Sequence, residues 1–284
     1  MINSVGSNSL RQLSSTNLIK QKVEPNDVGI SSEVQTAQTL PDLKAITGQD
    51  LVSGSSISFK DLDKLFKEIN DLKGKEFADA AYSGLVKLMG LEGMAPEKIT
   101  WEKNEGRDYI VGDYRFYNNS IVFYTDSYDK LDKATQLGII AHELTHCKQF
   151  VNMIRTEGLS VDKIAYAHAV ADMRAMLINN PAVMEKHKKA KAEGKEKEFI
   201  QKNTMLWAMK TAEEIKQAHA KTIQMPKHPL NSENGKKAQA DWIAKYNYNG
   251  ADMESYSKNP NEVEAMTFEN MIKGAYKVFC KAEK

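Results

Sequence analysis

The sequence predicts an α+β fold, mostly helical, with a small antiparallel sheet preceding one central helix. Three observations carry this prediction. After Ser127 the apolar residues follow a helical period almost to the end of the chain. Just before that point the period gives way to short runs of β-branched and aromatic residues. The first 57 residues follow neither pattern.

Residues 1–57 are rich in Ser, Asn, Gln and Thr ("MINSVGSNSLRQLSSTN", "VSGSSIS") and predict a disordered leader ahead of a folded domain over 58–284. Ser58 can cap a first helix, with Phe59, Leu62, Leu65, Phe66, Ile69 and Leu72 on one face until Gly74. A second helix is expected from Glu76 to Met89. Then "KITWEK", "RDYIVGDYRFY" and "SIVFYTD", separated by Gly or by "NNS" turn chemistry, predict three strands. Helices follow over Lys130–Ile154, Val161–Ile178, Val183–Met209 and onward, Lys236–Tyr246 and Pro260–Lys281, with residues 158–250 forming a helical insertion. The charge run "MEKHKKAKAEGKEKE" within it is expected to be a solvated helix surface.

With 39 Lys and Arg against 38 Asp and Glu, the net charge is +1, so no basic footprint for nucleic acid or an anionic membrane is present. Cys147 and Cys280 are too few for a disulfide framework. No apolar run is long enough to span a membrane, and the N-terminus lacks the pattern of a secretory signal peptide. The composition therefore predicts no nucleic-acid partner and no stable membrane insertion.

The chemistry concentrates in "LGIIAHELTHCKQF". At about 100° per residue, with His142 at zero, His146 falls near 40° and Glu143 near 100°, while Leu137, Ile140, Leu144, Cys147 and Val151 cluster on the opposite side. Residues at i and i+4 project together, so His142 and His146 can supply two imidazole ligands to one zinc ion, with Glu143 beside them as a base rather than a ligand. Gly138 lies one turn earlier on the same face. Either room for metal or substrate or close packing of another helix would explain it there.

The "HELTH" motif preceded by "GIIA" resembles the zinc metallopeptidases built on an HExxH helix. The resemblance implies a zincin-like fold, one zinc ion per chain and a protein or peptide substrate. It also implies that "SIVFYTD" is the edge strand along which extended substrate pairs.

A catalytic zinc site takes three protein ligands and keeps one position open. A metzincin would need Gly at 149 and His at 152, where this chain has Gln149 and Asn152. A thermolysin-like Asn-Glu pair is missing from "DKIAYAHAV". The downstream segment "SYSKNPNEVEAMTFEN" instead resembles the ligand helix of gluzincin-like families, which implies Glu262 as the third ligand, with Glu264 as the alternative. Asn259, Pro260 and Glu262 also fit the cap, first residue and N3 partner of a helix start, so one carboxylate has two candidate tasks. Ala265 would let this helix approach the histidine helix closely. Where related families carry Asp or Asn to orient a histidine, this chain has Met266. His168 and Asp172, also at i and i+4, are expected to make a local contact.

On the resemblance the expected function is a zinc-dependent endopeptidase in which Glu143 activates the attacking water. Tyr256, then His228, are the candidates for stabilising the oxyanion. The leader resembles those of effectors exported by type III secretion, which implies delivery into a host cell; a plain flexible tail and a cytoplasmic protein are the alternative. Two other classes stand beside the peptidase, namely a different zinc hydrolase and a non-enzymatic helical interaction module. A deformylase would need an upstream cysteine ligand, and no cysteine precedes Cys147.

Overall fold

The first helix begins where Ser58 can cap it: the Ser58 hydroxyl oxygen accepts from the Asp61 N–H, 3.2 Å away. In the computed structural model, which describes residues 57–103, 110–246 and 258–282, this helix α1 spans Phe59–Ile69 and buries Leu62, Leu65, Phe66 and Ile69. α2 spans Gly74–Leu88. The leader and Tyr256 lie outside the described residues.

Three strands follow, β1 (Ile99–Glu102), β2 (Gly112–Arg115) and β3 (Ser120–Tyr124). β2 and β3 form an antiparallel hairpin, with Gly112 opposite Phe123 and Arg115 opposite Ser120. Its turn uses the predicted "NNS" chemistry, with Asn119 in the left-handed region at φ 47°. The expectation of an antiparallel sheet is corrected here, because β1 pairs with β3 in parallel and the sheet is mixed, in the order β1-β3-β2. A parallel pair needs a crossover, and the chain makes it by running out through β2 before returning along β3. β3 is thus the middle strand and not the edge strand that the resemblance implied. The edge on its far side is β2.

A short helical turn α3 (Thr125–Tyr128) stacks Tyr128 against Trp101 and Phe123, with ring centroids 5.2 and 4.9 Å apart. α4 (Lys133–Ile154) then crosses the centre of the fold, its start capped by the Asp132 carboxylate, which accepts from the Thr135 N–H. Leu137, Ile140, Leu144, Cys147 and Val151 are buried, as the helical wheel requires. The helix is more enclosed than a two-faced wheel suggests, since Gln136, Gly138, Ala141, Thr145, Lys148 and Gln149 are buried too. Its least buried stripe is Thr135, Ile139, His142 and His146.

α5 (Val161–Asn179) and α7 (Glu196–Ala218) pack together, and α6 (Pro181–Ala192) joins them. The single helix expected from Val183 onward is broken at Gly194, whose φ of 72° no helix accommodates. α6 buries no residue, so the charge run is a solvated surface. The expected local contact between His168 and Asp172 forms at 3.1 Å, and Asp172 also accepts from the Trp207 indole N–H.

After the short α8 (Ala220–Ile223), α9 (Glu233–Tyr246) and α10 (Pro260–Ala282) pack against α4. α10 lies along α4 for much of its length, with Ala265 fully buried, and ends against α1 through Phe66, Tyr276 and Phe279. Among the described residues no helix is long and apolar enough to cross a membrane.

Candidate metal centre

Two turns of α4 and the first turn of α10 bring three ligand atoms together. His142 Nε2 and His146 Nε2 stand 3.1 Å apart, and Glu262 Oε2 lies 3.5 and 3.3 Å from them. Four ligands held tetrahedrally at about 2.0–2.1 Å from zinc are about 3.3 Å from one another, so these three spacings match three corners of such a site. Among the described residues, His142, His146 and Glu262 form the one group of His, Cys, Asp or Glu able to hold a metal ion.

The cap and first-residue parts of the helix-start reading of "NPNE" hold at the same time. Asn259 caps α10, its side-chain oxygen accepting from the Asn261 N–H at 3.0 Å, and Pro260 takes the first helical position. Glu262 nevertheless points its carboxylate at the histidines. Glu264, the alternative ligand, is engaged elsewhere, 2.7 Å from both Gln149 Nε2 and Lys237 Nζ.

Both imidazoles turn Nε2 inward, and each has a polar side chain beside its other nitrogen. His142 Nδ1 stands 3.2 Å from Glu269 Oε2 and His146 Nδ1 lies 3.0 Å from Gln149 Oε1. The orienting group missing at Met266 is thus Glu269, seven residues or two helical turns beyond Glu262 and so on the same face. Gln149 follows His146 by three and could be found by the same spacing rule.

Gly138 explains how α10 comes so near. A Cβ built there would lie 2.4 Å from Lys273 Cγ and 3.0 Å from Glu269 Cγ, so the glycine admits the stems of two α10 side chains. Of its two sequence explanations, helix packing is the one realised.

Glu143 stands beside the cluster and is 7% exposed. Its Oε2 accepts from the Tyr114 N–H of β2 at 2.8 Å. Burial pushes its carboxyl above the usual glutamate range, against the pull of His142 and His146. Gly112 of the same strand leaves the space that the other oxygen needs, since a Cβ there would lie 3.1 Å from Glu143 Oε1. A backbone N–H and a glycine carry no side-chain signal, so nothing in the sequence pointed to β2.

The electrostatics are compatible with a cation. Burial alone would lower His142, yet the carboxylates of Glu262 and Glu269 outweigh it and push the imidazole up to about 10. Glu269 is held below its usual range by His142 and Lys273 despite its own burial. Three carboxylates, Glu143, Glu262 and Glu269, thus surround two imidazoles, and the positive charge that a proton brings is one that a divalent ion would supply instead. Lys245 borders this group, its ammonium 4.9 Å over the Phe116 ring. Burial lowers it, while Glu262, Asp113 and Asp241 pull it the other way.

His228 does not join the site. Its backbone pairs with the chain just past α4, donating to the Arg155 carbonyl, roughly 13–14 Å along the helix from His146 at 1.5 Å per residue. Comparison with models of known families, with curated proteins and with solved structures gives no match.

Proposed function

We propose that this chain is a zinc-dependent endopeptidase that hydrolyses peptide bonds with Glu143 as general base. The observation that carries the reading is one juxtaposition: three donor atoms at tetrahedral spacing, with a further buried carboxylate pinned beside them by a sheet edge. Zinc bound by His142, His146 and Glu262 would supply Lewis acidity, polarising the scissile carbonyl and easing the deprotonation of water.

The chain's own groups divide the remaining work. His142 and His146 turn Nε2 inward, with Glu269 at ion-pair distance from the first ring's Nδ1 and Gln149 hydrogen-bonded to the second's. Glu143, anchored through one oxygen, has the other available to take a proton from the attacking water and return it to the leaving amine. A structural zinc site would be closed by four ligands. Among the described residues the group has three, and the remaining corner would serve a reactant.

Zinc content and peptide cleavage, measured on the parent, His142→Ala and Glu143→Gln proteins, test the reading. About one zinc per chain is expected in the parent and none in His142→Ala. Glu143→Gln keeps its zinc and loses cleavage on the order of 10²- to 10⁴-fold. Incubating a proteome with parent or Glu143→Gln protein and comparing new N-termini would reveal the substrate, and identical sets would sink the peptidase reading.

The leader extends the proposal to an exported effector that acts on a host protein. Residues 1–57 fused to a reporter should then leave a bacterium with a working type III system and stay inside one without it; retention in both would refute export.

A further inference from the structure

We propose that Gln149, held by Glu264 and Lys237, is a positioning residue that sets the tautomer of His146 and thereby the affinity of the site for zinc. The inference rests on the metal-site reading above.

The two ends of a glutamine amide have nearly the same shape and opposite hydrogen-bonding character, so neighbours decide which end points where. One end of the Gln149 amide lies 2.7 Å from Glu264 Oε2 and 3.1 Å from the Asn261 carbonyl oxygen. Both neighbours accept, so that end is the donating NH₂. The opposite end, 3.0 Å from His146 Nδ1, is then the oxygen. An amide oxygen can only accept, so Nδ1 carries the proton, and Nε2 presents its lone pair towards Glu262 and His142.

Glu264 is fixed in turn. Lys237 Nζ donates to its Oε2 at 2.7 Å and to Asp241 Oδ1 at 2.5 Å, and the Asp241 carbonyl accepts from the Asn261 side chain at 3.1 Å. Asn261 precedes Glu262, so the chain of contacts closes on the metal group itself, through α4, α9 and α10. Gln149, Asp241 and Asn261 are each 3% exposed or less. A flipped amide would set its oxygen against Glu264 and the Asn261 carbonyl and its NH₂ against His146 Nδ1, leaving donors and acceptors mismatched. Among the described residues His142 has no such relay: the Glu269 carboxylate stands 3.2 Å from its Nδ1 at ion-pair distance. α9, the last helix of the long insertion, thereby becomes part of the metal site.

Zinc affinity by chelator competition tests this on Glu264→Met, on Gln149→Met and on the conservative Glu264→Gln, with His142→Ala as the control for the metal reading. Glu264→Met should weaken zinc on the order of 10-fold. Gln149→Met removes the acceptor at His146 Nδ1 and should weaken it at least as much. Glu264→Gln keeps an oxygen able to accept from both Gln149 and Lys237 and should stay within roughly threefold of the parent. If Glu264→Met does not fold, the comparison of Gln149→Met with Glu264→Gln still carries the test. Nitrogen spectra of histidine-labelled, zinc-loaded protein should show His146 ligating through Nε2 alone in the parent and in Glu264→Gln, and mixed ring-nitrogen signals in Gln149→Met. Zinc binding by Glu264→Met equal to the parent, or by Gln149→Met equal to Glu264→Gln, overturns the inference alone. Zinc binding by His142→Ala equal to the parent overturns the metal reading and the inference with it.

Discussion

A methyl group added at Gly112 would lie 2.7 and 2.9 Å from Phe123 Cε1 and Cδ1 and 3.1 Å from Glu143 Oε1. Phe123 is wholly buried and cannot retreat, so β2 and the Glu143 carboxylate must shift instead. Gly112→Ala should therefore cost about 1–3 kcal/mol of stability in urea unfolding. It should also abolish most peptide cleavage while zinc content stays at the parent level; full cleavage would show that Glu143 does not depend on this strand. At the same scale, "NPNE" shows what a sequence leaves undecided. Asn259 caps α10 as its residue type predicts, but whether the Glu262 carboxylate completes that cap or meets the histidines depends on what packs opposite.

Between elements, the approach of α10 to α4 is governed by Gly138. A methyl group there would meet Lys273 Cγ and Cδ at 2.4 and 2.6 Å and Glu269 Cγ at 3.0 Å. The lysine stem can swing aside, whereas Glu269 can yield only by leaving His142. Gly138→Ala gains about 1 kcal/mol of helix propensity, which offsets the crowding, so stability should remain near the parent. Zinc affinity, read by chelator competition, should fall on the order of 10-fold. Unchanged affinity would mean that Glu269 does not orient His142. The strands were legible from their β-branched and aromatic runs, and the hairpin from "NNS". Their order was not, because alternation marks a residue as facing in or out without saying which strand lies alongside. The edge position of β3 was implied by the resemblance alone, and no side chain of β2 signals that its backbone meets Glu143.

At the scale of the whole molecule, stability should fall as the pH drops below neutrality, with His219 as one cause. It is 1% exposed, with Nε2 2.7 Å from the Phe116 carbonyl and Nδ1 without a hydrogen-bond partner among the described residues. Burial lowers its pKa, and the Phe116 carbonyl only partly opposes this. The native state therefore keeps His219 neutral while the unfolded chain takes up a proton near pH 6.5, so below that pH the unfolded state binds more protons and gains. The contribution is complete above about pH 6.5 and is lost as the pH falls towards the depressed native value. The melting temperature should thus drop between pH 7 and pH 5, and less steeply in His219→Gln. Equal slopes in the two proteins would refute the assignment.

By itself the sequence determined most of the helical segments, the three strands, and that His142 and His146 share the least buried stripe of a buried helix, with Glu143 beside it. These follow from local periodicity and from spacing within a single element. The tertiary structure alone decided that the sheet is mixed, that Glu262 rather than Glu264 meets the histidines, that Glu269 stands beside His142, and that a backbone N–H of β2 holds Glu143. Each of these joins residues on different elements. Such pairings depend on how helices and strands pack, which a pattern confined to one element does not encode.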